Sequence, residues 1–161
     1  MTGQDAGNAQ DARQAQDARE AGHVGEAGIP APNAVDADGR RAGLWEETYR
    51  DGTLESRGFY DAGVKTGEWR TYFRNGRLRA VGGYDAGLMH GPWTWYRESG
   101  VLLQTGGFER GEQQGTWRRF TAEGTPYDEG HYDRGVRSGV WTTFAPDGSV
   151  AKTRRHRGPA S

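Results

Sequence analysis

The chain has 161 residues and a formal net charge of −1, with 33% hydrophobic and 11% aromatic residues, 27 glycines and no cysteine. One domain with room for a tail fits that length, and the missing cysteine excludes disulfides, thiolate metal sites and a cysteine nucleophile. Few aliphatics beside many glycines and aromatics predict an all-β chain rich in turns, with burial resting on Trp and Tyr rather than on Leu and Ile. A near-neutral chain shows no bias toward nucleic acid. No apolar run approaches the ~20 residues that cross a bilayer. The opening "MTGQDAGNAQDARQAQ" lacks the basic and apolar regions of a secretory signal. The expectation is a cytoplasmic protein.

Residues 1–38 hold Ala, Gln, Asp and Gly and no aromatic. "AQDARQ" and "AQDARE" echo one another at Ala9–Gln14 and Ala15–Glu20, and "GIPAPNA" at Gly28–Ala34 is linker chemistry. Five Asp and two Glu against two Arg make the stretch acidic. With no apolar stripe to dock, it reads as a solvated, disordered tail. At the other end, residues 151–161 carry Lys152, Arg154, Arg155 and Arg157 and read as a basic C-terminal tail. Between them, residues 39–150 are neutral.

That middle region repeats with a 24-residue period. Gly43, Gly67, Gly91, Gly115 and Gly139 open five units, and Trp45, Trp69, Trp93, Trp117 and Trp141 follow two residues later. Further columns are Gly58, Gly82, Gly106 and Gly130, then Tyr60, Tyr84, Phe108 and Tyr132 two residues on. No insertion or deletion breaks the phase, so this is a repeat array. Within the Gly67 unit, "EWRTYF" has strand character. Asn75-Gly76 signals a hairpin turn in which both residues tolerate positive φ. "RLRAVGGY" alternates as the return strand, and "DAG" turns the chain into the next unit. Each unit is thus one β-hairpin. A glycine inside a strand costs stability unless a large group must lie against the backbone. A Trp or Tyr ring packed over Gly82 and its equivalents supplies that reason. A lone hairpin is unstable in water, so the hairpins must stack to bury their rings.

The unit "GxWxxYxxxGxLxxxGxYxxGxxx" resembles the MORN repeat (membrane occupation and recognition nexus), in the spacing of its bacterial variant group. The resemblance covers Gly39 to about Val150. It implies an elongated, twisted, single-layer antiparallel sheet of about five stacked hairpins. It also implies a role in scaffolding, dimerisation, membrane-proximal binding or antitoxin-like partner binding, with no catalytic domain. Two positions depart from the pattern. Thr48 replaces the second aromatic of the first unit, which suits a capping unit, and Pro126 replaces Leu54, Leu78 and Leu102 in the fourth, which suits a position needing no amide bond.

Nothing in the chain reads as a catalytic, cofactor or metal site. His23 and His156 fall in the tails, and His90 and His131 occupy non-equivalent columns, where a zinc site needs three or four convergent ligands. Asp61, Asp85, Glu109 and Asp133 recur, but each precedes an x-Gly turn, where a carboxylate caps its own backbone. Function is therefore sought in the variable columns. Two residues after each Trp stand Glu47, Thr71, Trp95, Arg119 and Thr143. Trp95 is the large aromatic in a polar column, beside Met89, His90 and Tyr96. It has two readings, an exposed partner-binding anchor or a cover over a neighbouring turn. Arg119 joins the candidate surface.

Arg70, Arg74, Arg77, Arg79, Arg118 and Arg119 form a second set, which meets an acidic partner or anionic lipid, or else pairs with Glu46, Glu47, Glu98 and Glu123 across strands. The expected function is a non-enzymatic module that binds another protein, as a scaffold or as an antitoxin- or immunity-like partner. The alternative is a membrane-surface module using the arginines and the basic C-terminus. Each end of such a sheet presents an unpaired edge, through which a homodimer can form.

Overall fold

The computed structural model describes residues 31–160. Of the tail read as disordered, 1–38, residues 1–30 lie outside them, and 31–38 depart from that reading because Ala34–Val35 is a strand. The described chain is all β. Its strands are β1 (Ala34–Val35), β2 (Arg41–Thr48), β3 (Leu54–Asp61), β4 (Val64–Tyr72), β5 (Leu78–Asp85), β6 (Leu88–Tyr96), β7 (Leu102–Glu109), β8 (Glu112–Phe120), β9 (Pro126–Asp133), β10 (Val136–Phe144) and β11 (Val150–Arg157). They form a single antiparallel sheet in which spatial order equals chain order. Each 24-residue unit contributes one hairpin, β2–β3 through β10–β11.

The core is a one-sided ladder. Trp69, Trp93, Trp117 and Trp141 are buried, at 2–6% exposure. Each lies on a glycine of the preceding strand. A Cβ built on Gly106 would sit 2.2 Å from Trp117 ring carbons, and the same collision recurs at Gly58 with Trp69, Gly82 with Trp93 and Gly130 with Trp141. Each indole N–H is also satisfied. Trp69 donates to the Phe59 carbonyl, Trp93 to Gly83, Trp117 to Gly107 and Trp141 to His131, at 3.1–3.2 Å. The Tyr/Phe column stands edge-on between the indoles. The run Trp45, Tyr60, Trp69, Tyr84, Trp93, Phe108, Trp117, Tyr132, Trp141, His156 is T-shaped at every step, with centroids 5.2–6.3 Å apart. That geometry sets the positive ring edge against the negative face.

Two kinds of turn alternate, and they differ from the sequence expectation. The Asn75-Gly76 turn is not a doubly left-handed one. Only Gly76 has positive φ, at 80°. Its N–H donates to the Phe73 carbonyl at 2.9 Å, and the Phe73 N–H donates to Arg77. Asn75 contributes its side chain, accepting the Arg77 N–H at 3.0 Å. Asp51 and Asp147 do the same for Thr53 and Ser149. The hydroxyls of Thr53 and Ser149, followed by their amides, hold those two carboxyls below the ordinary Asp range.

The two-residue turns with both φ positive lie between units, at Ala62-Gly63, Ala86-Gly87, Arg110-Gly111 and Arg134-Gly135. Their twist matches the flanking strands. The Gly87 N–H is anchored on the Lys65 carbonyl at 3.0 Å, and each equivalent turn repeats this bond to the strand before. Asp61, Asp85, Glu109 and Asp133 therefore do not cap these turns as expected. Among the described residues no carboxylate of the four accepts a backbone N–H of its own turn, because a neighbouring strand already supplies the acceptor, and Asp133 instead pairs with the Arg134 side chain at 3.6 Å.

The first glycine column has its own cause. The β5–β6 register slips between Gly82 and Gly83, which leaves a bulge around Gly91, where φ is 71°. Pro92 sits in that bulge, where no ladder amide is required. Pro126 opens β9 opposite Phe120, again at a permitted position.

The repeat domain also extends further than expected. The stretch read as a basic tail, 151–161, is strand as far as Arg157, registered on β10 with one bulge at Ala151. His156 occupies the Tyr/Phe column, against Trp141. Four cations in eight residues read as a solvated end, but the fifth unit needs a return strand. At the other end, Ala34–Val35 adds a short strand to β2.

Trp117→Ala is expected to cost roughly 3–5 kcal/mol, and Gly106→Ala about 1–3 kcal/mol or more by overpacking. The double variant should cost far less than the sum, because a methyl on Gly106 has nothing to strike once the ring is gone. Urea unfolding of the three variants checks this.

Candidate functional site

The ladder-bearing face carries columns that vary from unit to unit. Four residues before each Trp stand Arg41, Lys65, Met89, Gln113 and Arg137. In the outer units a cation lies on the indole, Arg41 at 4.8 Å from Trp45, Lys65 at 4.0 Å from Trp69 and Arg137 at 4.1 Å from Trp141. Met89 and Gln113 leave this cover off in the third and fourth units. The strands of units three to five there enclose a cavity of about 350 Å³. Its walls are Trp95, Phe108, Trp117, Tyr132 and Trp141, with Met89, Gln104, Gln113, Arg119 and Arg137 between them. Aromatic walls with a few convergent polar groups are the usual make-up of a binding site.

Trp95 is neither a free anchor nor a cover over a turn. It stacks near-parallel to Trp93 (5.5 Å, 25°) and Trp117 (5.6 Å, 29°), with Phe108 edge-on at 6.2 Å. It is half-buried and presents its rim to the cavity. Met89 and Arg119 line the same cavity. His90 does not. It is exposed and pairs with Gly83 across β5, out of phase with Met89 and so on the opposite face. Tyr96 ends β6 opposite Leu102 and is not part of the wall.

Arg119 is held by a two-pronged contact to Asp128, Nε to Oδ1 at 2.8 Å and a second nitrogen to Oδ2. This hydrogen-bonded carboxylate raises the guanidinium pKa above its ordinary value. Asp128 is buried, so the pair is a fixed, neutralised wall rather than a loose charge. Arg137 differs. Its contacts are the Trp141 face and the Tyr132 hydroxyl at 3.4 Å, with no carboxylate among the described residues. It is the cavity's open cation.

Sequence reasoning missed Gln104, Phe108, Gln113, Tyr132 and Arg137 as wall residues. The signal was available in the column four before each Trp, where a cation gives way to Met and Gln.

The other arginines are occupied. Arg70 pairs with Glu68, Arg74 with Asp51 and Arg118 with Glu129. Arg77 donates to the Glu98 and Ser99 carbonyls, and Arg79 lies over Phe73. Glu46 and Glu47 pair with Arg57 and Arg41. No group of three or more metal-ligating side chains occurs among the described residues.

An in-phase array of hairpins sharing one aromatic ladder defines a β-hairpin repeat protein. Residues 65–86 and 89–109 match the family model of the MORN repeat variant. The other three units share the columns and the hairpin of those two. No curated protein matches the chain. Among solved structures, a chain from the crystal structure of the GtfA/B complex bound to UDP and GlcNAc aligns over 92% of this chain and 37% of its own, at 11% identity and a TM-score of 0.28. This chain spans little more than a third of that one, and a likeness at that score does not establish a shared fold.

Arg119→Thr should cost about 1–3 kcal/mol, because it leaves the Asp128 carboxylate buried without its partner. Adding Asp128→Ala recreates the Thr71/Ala80 pair of the second unit and should recover most of the loss. Thermal or urea unfolding of the two variants measures it.

Proposed function

We infer from the match of residues 65–86 and 89–109 to the MORN repeat variant that this chain is an interaction or membrane-associated module. We propose that this chain is a non-enzymatic module that binds another protein through its ladder-bearing face, with the cavity around Trp95 as the contact. The observation that carries this reading is the combined change at Met89, Trp95 and Gln113. There the repeat drops the cation that lies on the indole in the outer units and adds an aromatic to the wall of the cavity. The fold does not need these residues, since the second unit folds the same way with Lys65 and Thr71. A dedicated antitoxin- or immunity-like partner and a scaffolding role both fit this surface, in a cytoplasmic setting. The ion pairs that occupy Arg70, Arg74, Arg118 and Arg119 favour a protein partner over an anionic membrane surface.

The test converts the third unit into the second. Met89→Lys with Trp95→Thr should keep the hairpin folded, at a cost of about 1–3 kcal/mol for the lost indole contacts. In a tagged capture from host lysate read by mass spectrometry, the unaltered chain should retain one dominant protein at a fixed stoichiometry, and the variant should lose it. Retention by both chains would remove the cavity from the interface. Sedimentation with anionic vesicles, and none of a dominant protein, would shift the assignment to the membrane surface.

A further inference from the structure

We propose that the open edge of β11 accepts an extended, acidic segment of a partner protein as an additional strand. β11 is registered on β10 from Val150 to Arg157 and has no neighbour on its other side among the described residues. Its outward N–H and C=O groups form an unpaired row, which is a template for strand addition.

The charge of this edge is one-signed. Lys152, Arg154, Arg155 and Arg157 stand within eight residues that contain no acid. None has an ion-pair or hydrogen-bond partner for its side chain among the described residues, whereas Arg57, Arg70, Arg74, Arg118 and Arg119 all have carboxylate partners. The cations also alternate between faces. Lys152 and Arg154 pair with Thr143 and Trp141 and so share the ladder face, while Arg155 and Arg157 pair with Val140 and Ser138 and lie on the other. A flat lipid surface meets one face only. A strand laid along the edge meets both, and its own amides and carbonyls match the alternating donors and acceptors of β11, which a phosphate, being only an acceptor, does not.

The same residues exclude a second copy. Arg154 stands in the column of Gly58, Gly82, Gly106 and Gly130. At those glycines even a bare Cβ would lie 2.0–2.2 Å from the covering indole. An arginine there bars the Trp of any further unit or copy from continuing the ladder. Two β11 edges side by side would set like charges opposite each other, which is destabilising. What remains compatible is an extended peptide with Asp or Glu on both faces, that is, with acids an odd number of positions apart, most closely at adjacent ones. Among the acids of the chain's own first thirty residues, Asp5, Asp11, Asp17, Glu20 and Glu26, no two are adjacent.

The test titrates the full chain with a labelled peptide of adjacent Asp and Glu residues flanked by Val and Thr, read by fluorescence anisotropy. Arg154→Glu and Arg155→Glu, on opposite faces, should each weaken binding about tenfold, while Arg70→Glu leaves it unchanged. N-methylation of the peptide amides on one edge should abolish binding and on the other edge should not. Met89→Lys/Trp95→Thr should bind the peptide normally, which separates this edge from the cavity. Tryptophan emission and near-ultraviolet circular dichroism establish that each variant is folded. The proposal is overturned if N-methylation on either edge has no effect, if the charge reversals leave the affinity unchanged, or if removing residues 1–30 raises it. It is also overturned if the unliganded chain dimerises through β11.

Discussion

The contact on which this molecule depends is an indole lying on bare backbone. Each buried Trp fits only because the strand beside it has no Cβ at that point. Each of those glycines is tolerable in a strand only because a ring replaces the packing it lacks. The two columns are therefore one requirement, and neither can drift without the other. The edge-on Tyr and Phe rings lock successive indoles together, and the indole N–H bonds to the preceding strand fix their depth. With few aliphatics and a single-layer sheet, nothing else on this scale removes apolar surface from water.

That economy explains where the chain is free to vary. The glycine and aromatic columns carry stability, so the columns beside them change with no loss of architecture. In the second unit the positions over the ladder are Lys65 and Thr71, and Lys65 lies on the Trp69 ring. In the third they are Met89 and Trp95, and an aromatic cavity opens toward Arg119 and Arg137. Arg119 with Asp128 shows how such changes come in pairs. A buried carboxylate is tolerable only with its guanidinium, and the two face one another across β8 and β9.

The two edges of the sheet are managed differently. β2 is partly covered by the two-residue β1, with Asn33 bonded to the Leu44 carbonyl and the Glu46 amide. β11 has no neighbouring strand beyond it among the described residues and is cationic, with Arg154 placed where a glycine would admit another ring. The same substitution that closes the ladder to a further unit gives the last strand its chemistry, since an arginine bars an indole and attracts a carboxylate.

The period, the hairpin unit and the pairing of Trp with glycine were legible in the sequence, because each follows from local sterics repeated in phase. The local signals failed where a neighbour supplied the bond. The Asn75-Gly76 pair looked doubly left-handed, yet Asn75 acts through its side chain, and Asp61 and its equivalents lost their capping role to carbonyls one strand away. The basic end looked like a tail because charge was weighed and the missing return strand of the fifth unit was not. Met89, Trp95 and Arg119 were visible as oddities of composition. Their meeting in one cavity depended on cross-strand register, while the departure of His90 to the opposite face follows from strand alternation next to Met89. Sequence by itself determined the unit and its spacing, which are local. Tertiary structure alone decided which variable side chains share a surface, because that is set by cross-strand register between strands that run from Met89 to Trp141.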